Sequence, residues 1–379
     1  MALTKTQGVG NRTISDIAAP LDYDCSGVFD LTEDELIHHL SLTPEKAHAI
    51  SAFDDWRAVD QVLSHSDRLP CRMIGIGDPE YPPLLSQIHD PPALIWVSGD
   101  LSALRMKTLS LVGTRNPTRY GQEQAAKWVK KLSGYNLCFC SGLARGVDTI
   151  IHQTALDENE ITIAVLGSGI DRIYPPENRK LAVRMIKAGG AILTEYPPGT
   201  APERFHFPER NRIVSGLSMG VIVIESAIKG GALITSRLAL DEGREVFFVP
   251  HALSSRRGEG CNYNIKIGNG KLIQTPGDLF DDLPGLAASA AVSPDPSIEK
   301  SPYERLKTVQ LDDEARKICE ILSKSPTPLH MDQLIEQSGL PLYRVLASLL
   351  PLEIEKIVER RAGNFLALLI PFRNVQAER

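Results

Sequence analysis

The residues best suited to chemistry in this chain lie between positions 205 and 217. This segment holds the aromatic rings of Phe205 and Phe207, an X-Pro step at Pro208, and two arginines, Arg210 and Arg212. Arginine presents a planar fork of donors to a phosphate, and an aromatic ring offers a face on which an unpaired base can stack. Taken alone, the segment is equally typical of a loop with a proline near a helix start, so the neighbouring loops must decide.

Glycine-rich loops follow three apolar runs of the chain, and each contains an arginine. They are residues 113–121 with Arg115, residues 141–148 with Arg145, and residues 167–172 with Arg172. Glycine lets a backbone approach a ligand closely, and the free amides at the start of a following helix favour an anion. Each loop by itself predicts a tight strand-to-helix turn, whereas several arginines at one sheet edge predict a phosphate site.

Signatures of nucleotide-binding enzymes are absent from the sequence. Gly167-Ser168-Gly169 fails the dinucleotide pattern because Arg172 stands where the third glycine is required, and no P-loop stretch occurs. Glu195 and Glu225 follow apolar runs, where each suits a ribose contact, a general base or a brace for a loop. No serine or cysteine nucleophile accompanies them, so we predict no catalytic residue.

The composition limits the function classes. The chain has 379 residues, of which 42% are hydrophobic, and a formal net charge of -6. This length predicts two or three domains, and the acidic balance means that any polyanion site must be a local cluster. The six cysteines form no C-x-x-C pair, which argues against a zinc site. Without a secretory signal or an apolar run of about 18 residues, we expect a soluble cytoplasmic protein with no metal and no membrane contact.

The elements that must position the candidate residues occupy the middle of the chain. Apolar, β-branched runs alternate there with helical patterns, and runs without polar alternation indicate a parallel sheet covered on both faces. The predicted strands are residues 109–112, 137–140, 161–166, 191–194, 221–224 and 246–249. We therefore predict an α/β fold with a Rossmann-like doubly wound parallel sheet over residues 76–283, whose ligands bind beyond the carboxyl ends of the strands.

Smaller domains are predicted on both sides of this core. Residues 1–75 show no clear period before residue 30, then a capping box from Thr32 to Glu35, and form an N-terminal helical (SAM-like) domain. Residues 284–311 are rich in proline, alanine and serine and form a flexible linker. Residues 312–379 hold three helical patterns and two strand patterns, which predict a winged-helix domain.

In sequence order, the motifs between about 80 and 275 resemble those of the DNA-processing protein A family, also called DprA or Smf. The matching motifs are Tyr81-Pro82-Pro83-Leu84-Leu85, Asp90-Pro91-Pro92, Val112-Gly113-Thr114-Arg115, Ser141-Gly142-Leu143-Ala144-Arg145-Gly146-Val147-Asp148, Leu166-Gly167-Ser168-Gly169, Phe207-Pro208-Glu209-Arg210-Asn211-Arg212-Ile213, Lys229-Gly230-Gly231-Ala232-Leu233-Ile234-Thr235 and Gly260-Cys261-Asn262. Because so many motifs occur in the right order over more than half of the chain, the resemblance is specific.

The resemblance implies a function and a site. It implies a homodimer that binds single-stranded DNA, protects incoming strands during natural transformation and loads RecA recombinase on them, without a cofactor or catalytic turnover. It places Arg115 on a phosphate, Phe207 against a base, and Arg204 at a basic position three residues before that ring. The remaining residues of the expected DNA-binding pocket are Gly113, Thr114, Ser141, Gly142, Arg210 and Arg212.

The predicted winged-helix domain departs from the pattern of a DNA-reading domain. Its predicted recognition helix carries only Arg344, and Glu353, Glu355 and Glu359 follow. A helix that enters a DNA groove is more basic, because it must neutralise phosphates. We therefore expect this domain to contact protein or the core.

Two other functions stay open. Gly230-Gly231 and Glu225 also suit a Rossmann-like nucleotide phosphoribohydrolase, the lysine-decarboxylase-like type of enzyme. In this chain, however, Lys229 stands where that enzyme type requires proline, and Arg237 lies where it requires an acid. The third hypothesis is a structural adaptor with a vestigial pocket, which would bind its partner without DNA.

Overall fold

A computed structural model describes residues 1–287, 313–325, 328–354, 357–361 and 364–368 of the chain. The chain divides into two compact units, Met1–Ser293 and Pro294–Arg379. The first unit contains every residue of the predicted site, so its sheet determines where those residues lie.

Helices open the first unit. They are α1 (Ala2–Lys5), α2 (Asn11–Ala18), α3 (Glu33–Leu40), α4 (Pro44–Ser51) and α5 (Trp56–Ser66). The predicted capping box is confirmed, because the Thr32 amide donates to Glu35 Oε2 over 2.9 Å and the Glu35 amide donates to Thr32 Oγ1 over 3.3 Å. Residues 1–30 have no clear sequence period, yet α2 forms there because it buries Ile14 and Ile17 in the cluster that also holds Leu36.

A nine-stranded sheet forms the centre of this unit, in the order β1-β2-β6-β5-β4-β3-β7-β8-β9. Its strands are β1 (Arg72–Gly75), β2 (Leu94–Gly99), β3 (Thr108–Val112), β4 (Cys138–Ser141), β5 (Ile161–Val165), β6 (Ala191–Thr194), β7 (Gly220–Val223), β8 (Glu245–Phe248) and β9 (Lys271–Leu272). The strands from β3 to β9 pair in parallel, which confirms the predicted sheet. The strands β1 and β2 add an antiparallel edge, and β1 lies before residue 76, the predicted domain boundary.

Helices cover both faces of the sheet. They are α6 (Arg119–Leu132), α7 (Val147–Asp157), α8 (Arg179–Lys187), α9 (His206–Gly216), α10 (Ala232–Asp241), α11 (Glu259–Lys266), α12 (Pro276–Asp282) and α13 (Pro284–Ala287). Alternate residues of one strand enter different apolar clusters: Cys138 and Cys140 face one, and Phe139 faces the other. Because every strand residue from Cys138 to Ser141 is buried, helices must cover the two faces.

The strand order reverses direction once within the parallel part. From β3 the chain proceeds through β4, β5 and β6 to one side, and later through β7, β8 and β9 to the other. The loops that follow β3 and β7 therefore diverge and leave a crevice at the carboxyl ends of these strands. Ligands of doubly wound sheets bind in such a crevice.

The second unit combines three helices with a small antiparallel sheet. Its elements are α14 (Asp313–Lys324), β10 (Leu329–His330), α15 (Met331–Ser338), α16 (Leu342–Ile354), β11 (Val358–Arg361) and β12 (Phe365–Leu368), and its sheet order is β10-β12-β11. This arrangement confirms the predicted winged helix. In the range predicted as a linker, residues 284–287 form α13, and residues 288–311 lie outside the described residues.

Candidate nucleic-acid interface

A cavity of about 810 Å³ lies at the reversal point of the sheet. One wall comes from the loop after β3, with Gly113, Thr114 and Arg115, and another from the segment after β7, with Gly230 and Gly231. Ligand pockets in proteins have volumes of roughly 300–1,000 Å³, so this cavity has the size of a binding site. Its location follows from the strand order described above.

Arg115 and Phe207 lie against each other in this cavity. The guanidinium carbon of Arg115 lies 5.1 Å from the centre of the Phe207 ring. The ring is half-buried in the first turn of α9, and a side chain at Gly167 would approach it to 3.1 Å. A cation over an aromatic face is attracted by the ring quadrupole, so the arginine and the ring hold each other in place.

Arg204 lines the same cavity from the loop that precedes α9. Both Arg115 and Arg204 are exposed, and within the described residues neither guanidinium has an ion pair. Two unpaired cations therefore share one concavity with an aromatic ring. This geometry is what a phosphate and an unpaired base require.

The face of α9 that lines the cavity follows the helical period. Phe207, Arg210, Asn211 and Val214 all line the cavity, and they are spaced at i, i+3, i+4 and i+7. Residues at this spacing share one face of a helix, and Arg212, at i+5 from Phe207, lies off that face. Arg212 accordingly does not line the cavity.

The Arg212 guanidinium instead binds two carboxylates. Its Nη1 and Nη2 donate to Glu195 over 2.7 and 2.6 Å, and its Nε donates to Asp90 over 3.0 Å. Burial lowers the pKa of Arg212, but the hydrogen bonds and charges of these carboxylates outweigh burial and raise that pKa. The pairing also occupies Glu195, which the sequence left open as a ribose contact or a base.

Arg210 lines the cavity but is almost fully buried, with 3% of its surface exposed. Its Nη1 donates to the backbone oxygen of Val165, and its Nε has no hydrogen-bond partner. A side chain at Gly142 would overlap the guanidinium, which explains why glycine is required at this predicted site residue. Burial lowers the pKa of Arg210.

A buried carboxylate lies near the arginines. Asp148, at the start of α7, accepts hydrogen bonds from the amides of Gly142 and Ala144, each over 3.2 Å. Burial raises the pKa of Asp148, although Arg210 and these amides act in the opposite direction. The carboxylate therefore fixes the loop after β4 around the cavity.

The loop that carries Arg115 is fixed by Glu225. This carboxylate is fully buried and accepts hydrogen bonds from the amide and hydroxyl of Thr118, over 2.7 and 2.6 Å. The Thr114 amide donates to the backbone oxygen of Glu225 over 2.9 Å. Glu225, which lies more than 100 positions away in sequence, thus holds the loop at both ends.

The remaining predicted site residues divide between the cavity and its support. Gly113, Thr114 and Gly142 line the cavity. The hydroxyl of Ser141 donates to the backbone oxygen of Leu111 over 2.8 Å and is buried, so it joins β4 to β3 below the cavity.

Sequence reasoning missed Tyr174, which lines the cavity together with Phe207. The two ring centres are 5.7 Å apart with an angle of 46° between the planes, and Tyr174 is 39% exposed. A smaller cavity of about 60 Å³ continues between Tyr174, Phe207 and Arg145. The signal available in the sequence was a tyrosine two positions after the third glycine loop, which was interpreted from its glycines and Arg172 alone.

The described residues contain no cluster of three or more histidine, cysteine or acidic side chains that could hold a metal ion. In the same residues, no helix has the length and apolar character needed to span a membrane. What the cavity offers is cations, free amides and aromatic faces. Its chemistry is binding of an anionic, aromatic ligand.

Comparison with known proteins gives a consistent result. The family model for DNA recombination-mediator protein A matches residues 72–284, and a model for the DprA winged helix domain matches residues 303–364. Protein Smf of Escherichia coli K12 is 34% identical over 340 residues, which cover 88% of this chain and 87% of that protein. DNA processing protein DprA of Bacillus subtilis is 42% identical over 212 residues, covering 56% of this chain and 71% of that protein.

Two solved structures are similar over most of their length. DNA processing protein A of Streptococcus pneumoniae has a TM-score of 0.62 and 32% identity, covering 73% of this chain and 95% of that chain. DNA processing protein A of Helicobacter pylori, whose structure was described for its single-stranded DNA binding mode, has a TM-score of 0.51 and 28% identity and covers 57% of this chain and 96% of that chain.

Proposed function

Because this chain belongs to the DNA recombination-mediator protein A family, whose members are named DprA or Smf, we propose that it binds single-stranded DNA and loads RecA recombinase on it. In natural transformation this activity protects incoming strands until recombination begins. The observation that carries the proposal is the shared cavity of Arg115, Arg204 and Phe207. Because neither exposed arginine is neutralised by a described carboxylate, both are available to phosphates.

The proposed binding mode assigns a task to each side chain. Arg115 and Arg204 bind phosphates, and Phe207 stacks on an unpaired base. For Arg212 we propose an indirect role, because its pairs with Glu195 and Asp90 hold α9 against neighbouring segments. Such a site binds many sequences, since every nucleotide has a phosphate and an aromatic face.

We propose that the protein acts as a homodimer in the cytoplasm. Large apolar side chains lie exposed where the sheet ends at β9: Tyr263 is 48%, Ile267 is 47% and Leu272 is 42% exposed. Tyr263 and Ile267 lie one turn apart at the end of α11, and among the described strands β9 pairs only with β8. A second subunit would remove this apolar surface from water. Light scattering of the wild type and of a Tyr263→Asp variant tests this contact.

The enzyme hypothesis has one point in its favour, because Gly230 and Gly231 line the cavity. The carboxylate that such an enzyme would use is Glu225, and both of its oxygens already accept hydrogen bonds from Thr118. We therefore propose binding without turnover. Incubation with nucleoside monophosphates tests this choice, since release of free base would favour the phosphoribohydrolase.

Loading of RecA is tested on single-stranded DNA that is coated with a single-strand-binding protein. We expect the wild type to accelerate RecA filament formation, measured as the rate of ATP hydrolysis. An Arg115→Ala, Phe207→Ala double variant should lose the acceleration. The matched control is Arg184→Ala, which removes an exposed arginine that is paired with Asp157 over 3.2 Å and lies on α8, outside the cavity lining.

Two results would contradict this proposal. A wild type that leaves RecA assembly unchanged would refute loading. Full acceleration by the double variant would instead support the adaptor hypothesis, in which the partner is bound without DNA.

A further inference from the structure

Another part of the cavity lining is formed by the segment between β7 and α10 and by the first turns of α10. Gly230, Gly231, Ala232 and Thr235 line it. The sequence motif that contains these residues has no task in the proposed binding of Phe207 and Arg115. This part of the cavity holds backbone groups that are free to bind a ligand.

Two amides at the start of α10 have no hydrogen-bond partner within the described residues. No side chain caps this helix, and no acidic residue lies in its first turn. The amides of Leu233 and Ile234 donate to Gly230 and Gly231, whereas those of Gly231 and Ala232 donate to no described oxygen. Free amides at a helix start, together with the helix dipole, favour an anion.

A second and independent feature of the same cavity also requires an anion. Arg210 is 3% exposed, its Nε has no hydrogen-bond partner, and no described carboxylate forms an ion pair with it. Asp148 is the nearby acid, but its Oδ2 accepts from the amides of Gly142 and Ala144. Asp148 thus acts on Arg210 through its charge without a direct ion pair, and an anion that enters the cavity would further stabilise this buried guanidinium.

We propose that the amides of Gly231 and Ala232, with Arg210 and Thr235 beside them in the cavity, bind a second phosphate of the same DNA strand. This proposal rests on the proposed function, because it assigns the phosphate to a phosphodiester next to the nucleotide that stacks on Phe207. The cavity volume of about 810 Å³ is at the upper end of the range for ligand pockets, so it accommodates more than one phosphate. The strand then crosses the reversal point of the sheet, from α9 to α10.

The test changes the charge at Gly231 without changing the fold. Gly231 has a φ of -59°, which any residue adopts, and a side chain built there meets no atom within 4 Å. Aspartate and asparagine have the same size and are about equally good N-caps, so Gly231→Asp and Gly231→Asn should have equal melting temperatures. Only the aspartate repels a phosphate at the two amides.

We expect Gly231→Asp to weaken binding of an oligothymidine at least tenfold in low salt, measured by fluorescence anisotropy. The slope of log K against log[salt] should become about 0.7 smaller, as for the loss of one phosphate contact to a single strand. Gly231→Asn should bind within twofold of the wild type. Equal binding by both variants, whether normal or weakened, would overturn the proposal and leave the proposed function intact.

The source of the phosphate is tested with thymidine monophosphate and inorganic phosphate. We expect neither to raise the melting temperature of the wild type at concentrations where the oligomer does. A rise that Gly231→Asp abolishes, with unchanged oligomer binding, would assign the site to a free nucleotide or ion and overturn the assignment to a phosphodiester. If the wild type binds no oligothymidine, the proposed function itself fails together with this inference.

Discussion

The Arg115–Phe207 pair allows the two parts of the binding mode to be separated experimentally. Arg115→Ala removes the cation that contacts a phosphate in the proposed binding mode, whereas Phe207→Leu keeps the apolar volume and removes the stacking face. A hydrogen bond to a charged group contributes about 1.5–3 kcal/mol, which corresponds to a roughly 10- to 150-fold weaker Kd for Arg115→Ala. Stacking contributes about 1–3 kcal/mol per base, so Phe207→Leu should weaken binding by a similar factor.

The salt dependence distinguishes the two variants although their affinities are similar. Each phosphate contact to a single strand contributes about 0.7 to the slope of log K against log[salt]. Arg115→Ala should therefore reduce the slope by about 0.7, and Phe207→Leu should leave it unchanged. The measurement is fluorescence anisotropy of a labelled oligothymidine at four or more salt concentrations, with Arg184→Ala as the control that changes neither quantity.

A double variant tests the contact between the two side chains. The arginine lies 5.1 Å from the ring centre, and such a contact at an exposed site is worth about 0.5–1 kcal/mol. In the free energy of unfolding, measured by denaturant titration, the combined loss should therefore be smaller than the sum of the single losses by about that amount. The reasoning is refuted if Phe207→Leu lowers the slope as much as Arg115→Ala, or if Arg115→Ala binds like the wild type at every salt concentration.

Three further predictions concern Tyr174 in the cavity, Glu225 beneath the Arg115 loop, and the carboxyl group of Glu242 at the end of α10. Tyr174→Ala should weaken binding of oligothymidine about fivefold or more, while Tyr174→Phe should bind normally, because stacking on a base uses the ring face and not the hydroxyl. Equal losses of affinity in the two variants would refute stacking. Glu225→Gln should lower the free energy of unfolding by about 1–3 kcal/mol in denaturant titrations and weaken DNA binding, because the Thr118 amide and hydroxyl lose a charged acceptor. Unchanged stability and unchanged DNA binding would show that the position of the Arg115 loop does not depend on this carboxylate. Burial raises the pKa of Glu242 from 4.5 to about 7, so the folded protein holds a proton that the unfolded chain has released, and stability should fall as the pH rises from 4.5 to 7. Glu242→Gln should raise the melting temperature at pH 8 and flatten that dependence, whereas an unaltered pH profile would contradict this cause.

The sequence predicts the parallel sheet well, because strands that are buried on both faces appear in the sequence as continuous apolar runs. All six predicted strands overlap β3 to β8, and Cys138 and Cys140 share a face as strand alternation requires. The antiparallel strands β1 and β2 are harder to predict from the sequence, because they lie at one side of the sheet and include exposed polar residues such as Arg72. The winged helix was predictable because its elements are short, local and separated by turns.

The residues of the candidate site could be predicted from the sequence, but the directions in which their side chains point could be predicted less well. Arg115, Arg204 and Phe207 were identified and lie in one cavity, but the grouping of Arg210 with Arg212 ignored the helical period that separates them. The partners of Arg212 are 17 and 122 positions away, so no local pattern shows that its charge is occupied. The burial of Arg210 depends in the same way on Val165 at the end of β5 and on Gly142 in the loop after β4.

The recessed position of the Phe207 ring has a consequence for the choice between paired and unpaired DNA. A ring on a flat surface would accept the end of any stack, but a half-buried ring admits only a base that has rotated away from its neighbours. Rotating a base out of a duplex costs a few kcal/mol, whereas a loose strand visits such shapes freely. In the proposed binding mode, discrimination against double helices thus arises from the stiffness of the duplex, and it needs no residue that reads base identity.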